Sequence, residues 1–312
     1  MRKHTPKPIA LAVADIHLQH IPPRCRAGEG DWYAAMKRVF DEVIEVADKI
    51  GSENILPILC AGDVFNYWKA SPELINFALN YLPRLWSIPG QHDLPQHNYE
   101  ERRKSAYDTL ALGGVIEDLS PHFPHHIIGS NVHVWAFPWG FPVKAPEKFK
   151  CKYNIALVHE YNWMPGHSYP NAPKEKHITP RRKELAKFDL VIFGDNHKGF
   201  QTTIGRTNVW NCGTLMRRAV DEADYRPRVG IIYDDMTVKP HYLDTTKDVM
   251  DLNVKDVIDE TMGLEIKDFL KELDGLTQNP FDFREVLERY ITDNKVSDET
   301  KKVLIESMEG AL

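Results

Sequence analysis

Five short segments carry carboxylates, imidazoles and carboxamides (of these last, Gln91 is the candidate ligand), each at the end of an apolar run. They are Asp15-Ile16-His17, Gly62-Asp63, Gly90-Gln91-His92-Asp93, His159, and Gly194-Asp195-Asn196-His197. Aspartate, histidine and amide oxygen together suit borderline-to-hard divalent ions such as manganese, iron or zinc. Two such ions ~3.5–4 Å apart can hold a hydroxide and clamp the oxygens of an in-line phosphoryl displacement. Thiolates are not part of this set. Cys25, Cys60, Cys151 and Cys212 are widely separated, which argues against a cysteine zinc site or a disulfide framework and for a reducing cytoplasm.

The spacing within the segments is orderly. Asp15 and His17 are two residues apart, so on an extended chain both point to one side with Ile16 opposite, and Asp195 and His197 repeat this. Gly62, Gly90 and Gly194 allow sharp turns beside them.

The elements that must position these residues begin as alternating strands and helices. The pattern predicts a strand over 8–14, a helix over 32–50, a strand over 55–61, a helix over 72–82 and a strand over 85–88. That alternation signals parallel strands. Further strands are expected over 132–138, 153–158, 190–193, 208–211 and 229–233, giving an α/β domain with a large or doubled sheet. In open α/β sheets, sites gather outside the carboxyl ends of strands. The stretch 161–180, rich in Pro, Asn, His and aromatics, reads as a long functional loop.

The hydrophobic fraction of 42% is enough for a packed core. No segment approaches the ~20 apolar residues of a membrane span, and the short run after the basic opening reads as a first strand rather than a signal peptide. Charge is uneven. Residues 244–312 hold 9 Lys+Arg against 18 Asp+Glu, a net of −9, so with −6 overall the remainder is net +3. Two domains are expected: a catalytic body over 1–243 and an acidic helical region over 244–312. Helical faces there include Phe283, Val286, Leu287, Tyr290 and Ile291, then Val303, Leu304 and Met308.

The order D-x-H, G-D, G-N-H-D, H, G-H-x-H is the signature of calcineurin-like metallophosphoesterases, and residues 8–243 resemble it. Within that superfamily the chain is most similar to the SbcD-like branch, the nuclease subunits of double-strand-break-processing complexes. Gly62-Asp-Val-Phe65, Ala70-Ser-Pro-Glu73, Ile88-Pro-Gly-Gln-His-Asp93, Ala136-Phe-Pro-Trp-Gly140 and Asn211-Cys-Gly-Thr-Leu215 carry that similarity. A phage or bacterial origin goes with it.

The resemblance implies a four-layer α/β/β/α sandwich with a small C-terminal helical appendage and two divalent ions. Manganese is expected first, with iron, zinc and magnesium as alternatives. Asp15, His17 and His197 would hold one ion, Asp63 would bridge, and Gln91, His159 and Asp195 would hold the other. His92 would act beside the ions on the transition state or the leaving oxygen, and Asp93 would orient groups around it. The implied function is a DNA exo- or endonuclease of repair or replication, with DNA as substrate and an SbcC-type ATPase or a second copy as partner. A small-nucleotide or phosphoprotein phosphoesterase is the second reading, and a DNA-binding scaffold with weakened hydrolysis is the third.

Three residues depart from the pattern. Gln91 stands where Asn is usual, Asp195 where the first His of G-H-x-H is usual, and Asn66 where the nuclease branch often has His. Outside the motifs, the basic clusters 102–104, 181–183 and 217–218 are candidate phosphate contacts, and Trp163, His167 and Tyr169 are candidate stacking residues. The histidines at 122, 125 and 126 read as a surface turn and His20 as surface.

Overall fold

A computed structural model describes residues 5–51, 56–119, 121–127, 131–144, 151–169 and 172–253. The chain divides into two compact units, Met1–Asn253 and Val254–Leu312, and the described residues belong to the first. The helical faces expected after residue 280 lie outside the described residues.

β1 (Pro8–Val13), α1 (Trp32–Gly51), β2 (Ile58–Cys60), α2 (Pro72–Tyr81) and β3 (Leu85–Ser87) follow one another as the alternation predicts. α3 (Ala106–Leu112) then leads into β4 (Ile116–Asp118). These four strands run parallel. The late strands β11 (Arg228–Tyr233) and β12 (Val238–Tyr242) extend the sheet antiparallel beside β1. A second sheet has the order β5-β6-β7-β8-β10-β9. Its members are β5 (His125–His126), β6 (Val132–Phe137), β7 (Tyr153–His159), β8 (Leu190–Gly194), β9 (Phe200–Ile204) and β10 (Thr207–Asn211). Here β6, β7, β8 and β10 are parallel. His125 and His126 therefore form an edge strand, where the sequence suggests a turn.

The period-2 alternation of the strands divides the core into layers. Leu11 and Val13 face outward with Ile58 and Cys60, onto a cluster with Trp32, Met36, Phe40 and Phe77 from α1 and α2. Ala10, Ala12, Ala14, Leu59 and Ala61 face inward and meet Val134, Ile155, Leu157, Leu190 and Ile192 of the second sheet. On its far side, Ala156, Val158, Val191 and Phe193 pack against Ile178, Leu185 and Phe188. Leu185 comes from α4 (Arg182–Leu185), so the fourth layer is thin, built from this short helix and loops. The architecture is the α/β/β/α sandwich, and no helix among the described residues is long and apolar enough to cross a membrane.

The helices follow from their sequences. Trp32, Ala35, Met36, Val39, Phe40, Val43 and Val46 make one buried stripe on α1. Each large side chain so buried contributes about 1.5–3 kcal/mol. Asp31 caps its start by accepting from Ala34 N at 3.0 Å. Ser71 caps α2 by accepting from Leu74 N, with Pro72 in the first helical turn.

The segment 244–253 stays bound to this unit. The nearly buried Asp248 carboxylate accepts from Arg26 and Arg217 at 3.0 Å and from Arg38 at 3.2 Å. Asp251 N donates to Cys25 O at 2.8 Å.

Candidate metal centre

The parallel strands of both sheets end on one side of the sandwich, and the polar segments follow those ends. β1 leads to Asp15 and His17, β2 to Asp63, and β3 to Gln91, His92 and Asp93. β7 ends on His159, and β8 leads to Asp195 and His197. Asp15, His17, Asp63, Asp93 and His159 are buried.

The backbone at these residues is unusual. Asp15 (φ 51°), His17 (φ 50°), Asp63 (φ 54°) and Asp195 (φ 76°) all adopt the left-handed conformation. The Asp15-Ile16-His17 segment is thus not the extended chain that its spacing suggests; two left-handed residues bend it inward while Ile16 stays buried. Such positions cost on the order of 1–3 kcal/mol each and persist where surrounding structure enforces them. Here Thr214 Oγ1 and Leu215 N both donate to Asp15 O, which gives the Asn211–Leu215 motif its role. Of the three glycines, only Gly62 has positive φ, at 94°. Gly90 is required for a different reason: a Cβ there would strike the Asp63 carboxylate and the His159 ring.

The side chains converge. Candidate ligand atoms of Asp15, His17 and His197 lie within 4.8 Å of one another, as do those of Asp15, Asp63 and His159, and of His17, Asp63 and His92. Asp63 Oδ2 is central, 3.5 Å from His159 Nε2, 3.8 Å from His17 Nε2 and 4.0 Å from His92 Nε2. His159 Nε2 meets Gln91 Oε1 at 2.6 Å, and Gln91 Nε2 donates to Asp195 Oδ1 at 2.8 Å. Asp195 N donates to both Asp15 oxygens, at 3.0 and 3.1 Å.

These groups fit a pair of divalent ions. Asp63 Oδ2 is buried and accepts no hydrogen bond, an arrangement costly for a carboxylate unless a cation satisfies it. His17 Nε2 and His197 Nε2 face each other at 3.0 Å. Two nitrogens ~2.1 Å from one ion and at right angles to each other would be about 3.0 Å apart. Asp15, His17 and His197 could hold one ion. Asp63 with His159 lies where it could reach both that ion and a second one. Gln91, bonded to His159 and Asp195, is the candidate further contact to the second.

Outer groups fix the rings. His159 Nδ1 donates to Ala61 O at 2.5 Å, which leaves Nε2 to face Asp63. His92 Nδ1 donates to Asn66 O at 2.9 Å. His197 Nδ1 lies 3.3 Å from Glu222 Oε1, and Glu222 Oε2 accepts from Arg218 N and Ala219 N. Glu222 is thus a carboxylate behind a candidate ligand histidine, the arrangement common in the second layer of metal sites. Asp93 accepts from the backbone N–H of Val64, Phe65 and Gly90, locking the Asp63 turn to the Gln91 turn. It positions the site and does not enter it.

Electrostatics divide the cluster. Burial raises the Asp15 carboxyl to about 7 against the pull of His197 and His159. Burial also raises Asp63, but His159 and His92 outweigh it and hold Asp63 below the usual carboxylate range. His159 is the mirror image: burial lowers it, and Asp63, Asp195 and Asp15 together bring it up to about 10. His17 is pushed well down by burial and then by the nearby Arg218 guanidinium.

The other candidates sort clearly. Arg181 is tied to Glu160 and Glu184, and Arg217 to Asp248, so both are structural. Arg218 instead reaches Asn66 Oδ1 at 2.5 Å, beside His92. Trp163 packs within its own loop, donating to Pro173 O and meeting the His177 ring. Tyr169 lies under Lys198. The loop is fastened to the centre by Asn196, whose amide donates to Asn162 O and His167 O. His20 is exposed and bonds Tyr33 Oη. Glu222 has no strand-end signature and nothing in its spacing marks it, while Asn196 sits unremarked inside the Gly194–His197 segment and Arg218 stands out only as part of a basic pair.

A model of the calcineurin-like phosphoesterase family matches residues 10–199. The chain belongs to the calcineurin-like phosphoesterase family, whose members are metal-dependent phosphoesterases. No curated protein matches the sequence. Among solved structures, a putative 5'-nucleotidase from Staphylococcus aureus aligns at 13% identity and TM-score 0.43, over 83% of this chain and 57% of its own. The sulfate thiohydrolase SoxB of Thermus thermophilus aligns at 11% and 0.45, over 90% and 63%. An archaeal phosphodiesterase aligns at 13% and 0.40, over 75% and 99%. The chain thus spans less than two thirds of the first two.

Proposed function

We propose that this chain is a two-metal DNA phosphodiesterase of the SbcD-like kind, a nuclease of repair or replication. The observation that carries the reading is the unsatisfied Asp63 Oδ2 at the meeting point of two ligand sets, with His92 at its open side. When bound, the ions supply Lewis-acid stabilisation of the phosphoryl charge and activation of water. Asp63 ties the two sets together from the first sheet, while His159, Asp195 and His197 close them from the second.

His92 has a different part. Its side chain is 42% exposed, so substrate can reach it. With Nδ1–H committed to Asn66 O, only Nε2 faces the reacting region. A protonated imidazole there can hydrogen-bond a developing oxyanion and then give the Nε2 proton to the leaving oxygen. The exposure suits a polymer that must lie across the site, which favours DNA over a free nucleotide.

The test is hydrolysis of defined single- and double-stranded DNA with manganese, magnesium and zinc in turn, beside free nucleotides and a His92→Ala control. DNA cleavage strongest with manganese, falling roughly 100-fold or more in the variant, is expected. Hydrolysis of nucleotides with DNA left intact would replace this reading with the small-substrate one. An SbcC-type ATPase is the partner this reading calls for, checked by pull-down.

A further inference from the structure

Two chain segments beside the metal centre carry aromatic rings in step. Pro138-Trp139-Gly140-Phe141 closes as a turn, with Phe141 N donating to Pro138 O at 3.0 Å and Gly140 at φ 83°. Positive φ at the third position is the type II arrangement, which puts Trp139 at a corner. Trp139 N donates to Pro89 O, fixing that corner against the turn that bears Gln91 and His92. The indole meets the His159 ring edge-on at 6.3 Å.

The facing segment brings its own rings. His97 lies 6.4 Å from Trp139, and two residues further along each segment Tyr99 lies 4.8 Å from Phe141. Gln96 (φ 51°) and His97 (φ 57°) are consecutive left-handed residues. Held strain of this kind gathers at ligand-binding loops. His97 is exposed, and Trp139, Tyr99 and Phe141 are half-buried, so each ring keeps an open part. Past Tyr99 the Arg102 guanidinium covers its ring at 4.5 Å, and Arg103 and Lys104 are exposed.

We propose that this strip, from Trp139 and His97 to Tyr99 and Phe141, is a stacking track for the unpaired bases of a single-stranded DNA end entering the metal centre. The inference rests on the nuclease reading and names the form of its substrate. Base faces are open to aromatic side chains only when the strand is unpaired, and stacking tolerates any sequence. The strip begins at a metal-ligand ring, so a base seated there neighbours the scissile phosphate. In the 102–104 cluster Arg102 pairs with Asp118 and Lys104 with Glu101, so the exposed Arg103 is the side chain that would meet the backbone of the same strand as it continues.

Binding and cleavage are measured separately on the full chain. Anisotropy of a labelled thymidylate oligomer, with calcium replacing manganese, is compared with an oligomer of abasic residues of the same length. Wild type is expected to bind the thymidylate strand roughly 5- to 100-fold more tightly than the abasic one. In Trp139→Ala and Tyr99→Ala that preference should shrink several-fold, and Trp139→Phe should keep most of it. Metal content and melting temperature are read beside each variant, because a purely structural role would lower stability without erasing the preference. Equal affinity of wild type for both strands, or a preference untouched in both alanine variants, overturns the track. Absence of DNA cleavage alongside an intact base preference would overturn the nuclease reading and leave the track standing.

Discussion

The Gln91 side-chain amide donates to Asp195 Oδ1 at 2.8 Å, so the two residues that depart from the family pattern at the second ligand set touch each other. Gln is one methylene longer than Asn, and Asp reaches less far than His. The longer arm meets the shorter one. Gln91→Asn alone and Asp195→His alone should each lower kcat/KM, and the double variant should recover part of the loss. Groups in contact couple by about 0.5–3 kcal/mol. A rise in activity from either single change would show that the pair does not compensate; steady-state kinetics with metal analysis decides it.

Asp63 and His92 should separate metal holding from catalysis. Asp63→Ala is expected to abolish activity and deplete bound metal, because its carboxylate belongs to both ligand sets. His92→Ala should slow hydrolysis roughly 100-fold or more while metal content stays near wild type. Plasma emission on dialysed protein measures the second quantity, and equal depletion in both variants would refute the assignment.

Glu222 stands behind His197 at 3.3 Å. Glu222→Gln removes the charge that holds Nδ1–H and is expected to weaken metal affinity about 10- to 100-fold, the usual effect of losing such a partner. Competition with a fluorescent chelator gives the affinity directly. An unchanged affinity would mean that Glu222 serves only to cap the Arg218–Ala219 turn.

Asp248 answers three guanidinium groups from a position with 6% of its side chain exposed. Removing one partner of a buried ion cluster costs about 3–5 kcal/mol, because the remaining charges lose their counter-ion. Asp248→Ala should therefore lower the melting temperature by roughly 10 °C in a domain of this size. A shift of only a degree or two in differential scanning fluorimetry would place the network among weak surface pairs.

Much of this arrangement is legible from residue types alone, for a physical reason. Strands such as Ile155–Val158 and Leu190–Phe193 are buried on both faces, so they stand out as continuous apolar runs, and the polar residues that follow them, His159 and Asp195, are the candidate ligands. Weaker elements lack that contrast. Phe200–Ile204 and Val238–Tyr242 are edge strands with polar outer faces, and Pro240 inside the latter is tolerated only at an edge. α3 and β4 are too short for a period to show. At the centre, the candidate ligands are visible because they follow strands, whereas Glu222 and Arg218 come from a loop whose approach depends on tertiary packing. The left-handed backbone of Asp15 and His17 is equally hidden, since spacing of two suggests an extended chain.

The centre draws its candidate ligands from two sheets whose described strands do not pair with each other, although Trp139 N to Pro89 O and Leu215 N to Asp15 O join the loops at their ends. Asp15, His17, Asp63 and Gln91 come from the first, and His159, Asp195 and His197 from the second. Between the sheets near this end lie the small buried residues Ala12, Ala14 and Ala61. An ion held from both sides would be a clasp against shear of one sheet over the other. By mass action such a clasp adds about 2.7 kcal/mol of stability at a free-ion concentration 100 times its dissociation constant. Chelation would then loosen the sandwich itself, and resistance to proteolysis at the mouth of the site would fall together with activity.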